Sequence, residues 1–325
     1  MKKRVMITGG AGFIGSNLTD RLLEEGHHVA VIDNLLTGRL SNLVPPARNE
    51  LEIYQFDITD VNNLQHIAKE FKPDIVIHAA ASYHDPNNWS RDIQTNVQGT
   101  ANVVNMCKAY NIRRLIYFQT SLCYGMPQQK LITFTHPIEP KGSYAITKTA
   151  GERFIMMSGL DWISFRLANI FGPRNLSGPI PTFYKKLKNN EECTIFDTRR
   201  DFVYIDYLVE VVMRAIDGIG SGVYHISNGK WDMPIIDAYD QIKSSMNVAE
   251  YYRVGDSAKF ELPDYIPPVV KKRRPDDVPS ICLDNTHTVN TFGNSLIHAF
   301  SYHIDKTVQW YENNPFEETY THLRG

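Results

Sequence analysis

The 325-residue chain has no run of about 18 consecutive apolar residues, which excludes a conventional membrane-spanning helix. It has only four cysteines, Cys107, Cys123, Cys193 and Cys282, far apart and with no Cys-x-x-Cys pair or neighbouring histidine at a metal-ligand spacing. That argues against a disulfide framework and a metal site, and it leads us to expect a reducing, cytoplasmic home. An excess of charge is also missing: 34 basic against 36 acidic side chains give −2, so nothing advertises nucleic acid or an anionic membrane as a partner. No internal repeat or low-complexity tract stands out. Met1 to Arg4 imitates the basic end of a signal peptide, but Gly9, Gly10, Gly12 and Gly15 break the apolar stretch that should follow, and no export signal is expected. What is present is ordinary globular composition, 42% hydrophobic and 22% charged, in a chain long enough for about two domains.

Short β-branched runs alternate with amphipathic stretches, the pattern of βαβ units around a parallel sheet. The strands are predicted at Arg4 to Thr8, His28 to Ile32, Leu51 to Phe56, Asp74 to Ala79, Arg114 to Thr120 and Trp162 to Leu167. Helices are predicted at Phe13 to Glu25, Val61 to Phe71, Arg91 to Tyr110 and Ser143 to Ser158. This is a doubly wound α/β architecture. After Leu167 glycine and proline accumulate, so a domain change is placed there: residues 1–168 form the first domain and 169–325 a second, smaller α/β domain. A helix at Ile205 to Ile216 and a strand at Gly222 to Ile226 are expected to return 201–228 to the first sheet. Further helices are placed at Ile235 to Met246 and near the C-terminus.

Strand one runs into Gly9-Gly10-Ala11-Gly12-Phe13-Ile14-Gly15, a Gly-x-x-Gly-x-x-Gly loop before a helix. Glycine removes the Cβ that would bar the backbone from a pyrophosphate, and the helix start offers unpaired N–H groups to it. The plainer alternative is a tight turn. Strand two ends at Asp33, where a carboxylate can accept from both hydroxyls of an adenosine ribose; Asp33 and Asn34 could otherwise simply open a loop. Asp57-Ile58 sits where an adenine ring would meet a carboxylate and an apolar wall, or else caps the helix from Val61. Tyr144 and Lys148 are one helical turn apart and project from one face, an arrangement in which an ammonium favours phenolate. Thr120 and Ser121 place hydroxyls at the carboxyl edge of the sheet, as ligand donors or as caps.

Together with His78-Ala79-Ala80-Ala81, Asn96, Arg166 to Arg174, Arg200 to Asp206 and Arg274 to Asp277, these residues resemble the extended short-chain dehydrogenase/reductases, specifically the NAD-dependent nucleotide-sugar epimerase/dehydratase group. The segment Phe118 to Gly125 and the ending Tyr320 to Arg324 look closest to epimerases of bacterial surface-polysaccharide and lipopolysaccharide O-antigen clusters. The resemblance implies a Rossmann-type fold and NAD held by Gly9, Gly12, Phe13, Ile14 and Gly15, by Asp33, Asn34, Asp57 and Ile58, by Ala79, Ala80, Ala81 and Asn96, and by Tyr144 and Lys148. It implies Thr120, Tyr144 and Lys148 as the catalytic set. It implies substrate contacts from Tyr83, Thr120, Ser121, Asn169, Arg200 and Arg274, the arginines suiting a diphosphate. A homodimer through the helices at Asn96 to Tyr110 and Tyr144 to Ser158 is implied as well.

The chain departs from the family pattern twice. The 4,6-dehydratases carry Asp-Glu after the threonine, whereas this chain has Ser121-Leu122 and lacks that acid and base. The segment Ile195 to Arg199 is shorter than the family's usual hairpin and has no glycine, which leaves the nucleotide base unassigned. The reading is a UDP-sugar epimerase acting at C4 through a transient 4-keto sugar. Its alternatives are a 4-keto reductase or decarboxylase of the same family, and a dinucleotide-sensing protein without chemistry.

Overall fold

The computed structural model describes residues 2–43, 50–83, 85–229, 232–254, 266–273, 277–293 and 300–320, with side chains to residue 246 in the fourth of these segments. Seven strands, β1 (Arg4–Thr8), β2 (His28–Asp33), β3 (Leu51–Gln55), β4 (Ile75–His78), β5 (Arg114–Thr120), β6 (Trp162–Leu167) and β7 (Gly222–Ile226), form one parallel sheet. Its order is β7-β6-β5-β4-β1-β2-β3. Both faces of the central strands are covered, so they read as apolar runs, whereas the edge strand β3 is largely exposed. Along β1, Val5 and Ile7 pack into one core and Met6 into the other, as the two-residue repeat of a strand requires.

The chain winds from β1 outward through β2 and β3, then crosses to β4 and continues the other way. The β1/β4 boundary is therefore the switch point, and the strand ends there open a crevice that neither set of connections fills. Helix α1 (Phe13–Glu24) follows β1, and α2 (Val61–Phe71) follows β3. Beyond β4 come α3 (Trp89–Asp92), a π-helical turn at Ile93–Gly99 and α4 (Thr100–Ala109) without a break; α5 (Ser143–Met156) packs against that run. The predicted helix from Arg91 thus starts at Trp89, because the Asn88 side chain accepts from the Arg91 N–H and caps it. Gly99 sits at the end of the π turn, where a Cβ would come within 2.4 Å of Ile58 Cδ1.

Past β6 the chain makes small strand pairs: Asn169–Phe171 with Phe202–Tyr204, Thr194–Phe196 with Val269–Lys271, and Arg199–Arg200 with Met233–Pro234. Helix α6 (Pro179–Lys188), α7 (Ile205–Ile216), α8 (Ile235–Val254), α9 (Thr286–Phe292) and α10 (Phe300–Asn313) complete the fold. Strand β7 pairs with β6 from Gly222 opposite Ile163 to Ile226 opposite Leu167, and so closes the first sheet from late in the chain. Helix α8 runs eight residues beyond the predicted Met246. Among the described residues no helix is long and apolar enough to cross a membrane, and no group of His, Cys, Asp or Glu could hold a metal ion. All four cysteines are buried and free.

Candidate active site

A cavity of about 940 Å³ lies over the switch point. One end is built by the glycine loop. Gly9 has φ +70, and a Cβ on it would stand 2.6 Å from the Ala80 nitrogen; a Cβ on Gly15 would stand 2.2 Å from the Gly9 carbonyl oxygen. Only glycine lets β1, the loop after β4 and the start of α1 come so close. Gly12, Phe13 and Ile14 line the cavity, and no side chain caps α1. The first-turn N–H groups are therefore left for a ligand, which is the cradle a dinucleotide's diphosphate needs.

The Asp33 carboxylate is nearly buried and accepts from Ala11 N (2.9 Å) and Leu35 N (2.8 Å), so it helps shape the loop as well as facing the cavity. Burial pushes its pKa up, against the backbone N–H groups of Leu35, Ala11 and Gly12. Beside it, burial would also raise Asp57, but hydrogen bonds from Thr59, Asn34 and Arg91 outweigh that and hold the carboxyl at about 2. Arg91 Nη2 is 2.6 Å from it and Asn34 Nδ2 2.8 Å. The cap of α2 is Asp60, which accepts from Asn63 N, and not Asp57. Asp57 and Ile58 stay on the cavity wall with Asn34, Ala79, Ala80 and Ala81.

Asn96 is not among the residues that line the cavity. Its amide donates to Ser82 O (2.9 Å) and Thr147 Oγ1 (3.1 Å) and accepts from Ser82 N (2.8 Å), and so fastens the loop after β4 to α5. His78 does similar work underneath, between Thr8 Oγ1 (2.7 Å) and Thr100 Oγ1 (2.9 Å); burial, then Lys148, drives its pKa down to about 3.

Thr120, Tyr144 and Lys148 line the middle of the cavity. Thr120 Oγ1 accepts from Leu122 N (3.2 Å), so the capping role and a ligand-facing role coexist at one hydroxyl. Lys148 is fully buried, its Nζ 3.9 Å above the Tyr117 ring. Burial pulls it down to about 7, partly opposed by Glu152. The sequence leads us to expect Lys148 and a positively charged nicotinamide together to lower the Tyr144 phenol; in the chain alone, burial, Tyr83 and Asp92 lift that phenol well above its ordinary value. The reason is dielectric: a buried phenolate loses its hydration, and a lysine whose own charge burial weakens cannot restore it alone. Tyr83 lies edge-on to Tyr144 at 5.9 Å between ring centroids. The Tyr124 hydroxyl is buried between Arg166 Nη1 (2.7 Å) and His225 Nε2 (2.5 Å).

The other end of the cavity is lined by Ser121, Asn169 and Arg200, and by Phe196, Thr198 and Tyr320, which sequence reasoning missed. Arg200 is held in place by Asp277 Oδ1 (2.9 Å) and Val278 O (3.0 Å), and burial lowers its pKa against that carboxylate. Arg274 lies outside the described residues. Tyr320 arrives from the far end of the chain: its backbone N–H donates to Leu176 O and its carbonyl accepts from Gly178 N. The Asp92 carboxylate, also missed, lines the cavity near Tyr144. The signal was there as two pairs at helical spacing, Asp92 with Asn96 and Ser143 with Thr147, but only the tertiary fold shows that they face each other.

The sequence model of the NAD dependent epimerase/dehydratase family matches residues 5–227. A UDP-glucose 4-epimerase of Mycolicibacterium smegmatis is 30% identical over 95% of this chain and 99% of its own length. Relatives of similar identity include a UDP-N-acetyl-alpha-D-glucosaminuronate decarboxylase of Bacillus cytotoxicus, 31% identical over 67% of this chain and 72% of its own length. Among solved structures, the Bordetella bronchiseptica enzyme WbmH in complex with NAD+ is 38% identical with a TM-score of 0.88, covering 97% of this chain and 100% of that one. WbmG of the same organism, in complex with NAD and UDP, is 37% identical with a TM-score of 0.86 over 100% of this chain and 99% of that one.

Proposed function

The chain belongs to the NAD dependent epimerase/dehydratase family, and from that premise we propose that it interconverts C4 epimers of a UDP-sugar in the cytoplasmic synthesis of surface-polysaccharide precursors. NAD is the cofactor, and the cavity residues would hold it where it would supply a reversible hydride acceptor. The observation that carries the reading is that Thr120, Tyr144 and Lys148 line the same cavity as the glycine loop, while Ser121 and Leu122 stand where a dehydratase has its acid and base. Tyr144 takes the proton of the C4 hydroxyl as hydride leaves C4, and Thr120 aligns that hydroxyl. The ketone turns within the cavity and presents its other face. Hydride returns to C4 and Tyr144 gives the proton back. Arg200 and Asn169 hold the sugar nucleotide's diphosphate, Lys148 the nicotinamide ribose, and Phe196 and Thr198 offer an aromatic face and a hydroxyl to the base. Incubating the purified protein with a panel of UDP-sugars, without added cofactor, should yield a C4 epimer of one or more of them; carbon dioxide or net NADH would favour the decarboxylase or reductase reading instead.

Asp33 sets the choice of cofactor. A 2′-phosphate beside its carboxylate would place like charges about 4 Å apart, a repulsion of roughly 4 kcal/mol near a protein surface before salt screens it. NAD should therefore bind at least about tenfold more tightly than NADP in competitive titration, and equal affinities would remove Asp33 from the ribose.

Ile93, Ile146, Phe154 and Met157 are exposed on the π turn, on α5 and just beyond α5. We assign this apolar face to a homodimer, as the family resemblance leads us to expect. Phe154→Asp should shift the sedimenting species towards monomer; an unchanged sedimentation coefficient at micromolar concentration would count against the assignment.

A further inference from the structure

We propose that Asp92 helps Tyr144 hold its proton, by presenting a carboxylate beside it through Ser143 and by clamping the two segments that carry Tyr83 and Tyr144. The proposal rests on the reading of Tyr144 as the proton-transfer group. Asp92 ends α3, is 1% exposed and lines the cavity. Ser82 Oγ donates to its Oδ1 at 2.8 Å and Ser143 Oγ to its Oδ2 at 2.6 Å. One turn on, Asn96 repeats the pattern with the Ser82 backbone and Thr147 Oγ1. The two rungs, Asp92 to Ser143 and Asn96 to Thr147, join the α3 and π-turn run to α5 on either side of Tyr144, with Ser82 and hence Tyr83 tied to both.

The clamp alone does not need a charge. An asparagine could accept from one serine and donate to the other in the same space. What the carboxylate adds is electrostatic. Among the described residues no basic side chain forms an ion pair with it; its sequence neighbour Arg91 turns to Asp57 instead, and both Asp92 partners are neutral hydroxyls. Among the described residues, the titratable groups that act on Tyr144 include Tyr83 from the loop after β4, Tyr117 from β5 and Asp92 from α3, with Lys148 one turn on along its own helix. Of these, Asp92 is the carboxylate. It opposes phenolate at Tyr144, adding to the larger effect of burial and to that of Tyr83. A compensating positive charge, that of an oxidised nicotinamide, would work the other way. Asp92 is thus a positioning residue that acts through Tyr144.

The test uses NAD-loaded protein labelled with [13Cζ]tyrosine, in which the Tyr144 signal is the one missing from Tyr144→Phe. Asp92→Asn should titrate that signal about one pH unit below the wild type, as loss of one nearby like charge implies. The rising limb of kcat/KM against pH should move down by the same amount. Ser143→Ala, which loses one rung but keeps the charge, should leave the titration near the wild type. Coincident titrations of Asp92→Asn and wild type would overturn the proposal, as would a fall in Ser143→Ala equal to that in Asp92→Asn. The NMR readout is independent of turnover: a shifted titration in a protein that epimerises no UDP-sugar would uphold the role of Asp92 and defeat the assigned reaction, and the opposite pair would do the reverse.

Discussion

Tyr144→Phe should lower turnover of the accepted UDP-sugar by about two to four orders of magnitude while leaving the fold and the bound NAD in place. Only one hydroxyl is lost, and the range is that of a general acid-base group acting in both halves of a cycle. The ring itself stays to pack against Tyr83. Comparing kcat of the variant and wild type, with NAD content measured after denaturation, checks both parts. Normal turnover would move proton transfer to another group, and Tyr83, which also lines the cavity, would be the first to examine.

Gly15→Ala should strip the protein of NAD. The added methyl would lie 2.2 Å from the Gly9 carbonyl oxygen and 2.7 Å from Gly10 Cα, both backbone atoms that cannot swing aside. The loop must open, and opening it moves the first-turn N–H groups away from the diphosphate. A displacement that forfeits two or three charge-assisted hydrogen bonds, each worth roughly 1.5–3 kcal/mol, weakens binding by at least about a hundredfold. Absorbance of released NAD should fall near zero in the variant as purified, and activity should return only at high added NAD, if at all. Full retention of NAD would place the diphosphate elsewhere.

Much of this was legible before any coordinates. Strands β1, β5, β6 and β7 and helices α2 and α7 have the bounds that their apolar periodicity marks. The glycine loop, Asp33 and the Tyr144 and Lys148 pair are local patterns, and each falls on the cavity. What stayed hidden is what only folding brings together. Ser143 reaches Asp92 across 51 positions, Arg200 reaches Asp277 across 77, and Ser177 meets Tyr320 across 143. The bonds of Asn96 to Ser82 and Thr147 were hidden for the same reason. Spacing shows the lysine one turn from Tyr144 but not the burial of both groups, which in the chain alone is the larger effect.

The central claim is that hydride leaves C4 and returns to C4 within one closed site. The measurement is turnover of a UDP-sugar deuterated at C4 in ordinary water, with the product analysed by NMR and mass spectrometry and absorbance followed at the NADH wavelength. The account predicts a C4 epimer that keeps its deuterium, with absorbance nearly flat throughout. Loss of the label to solvent, stoichiometric accumulation of NADH or a 6-deoxy product would contradict it.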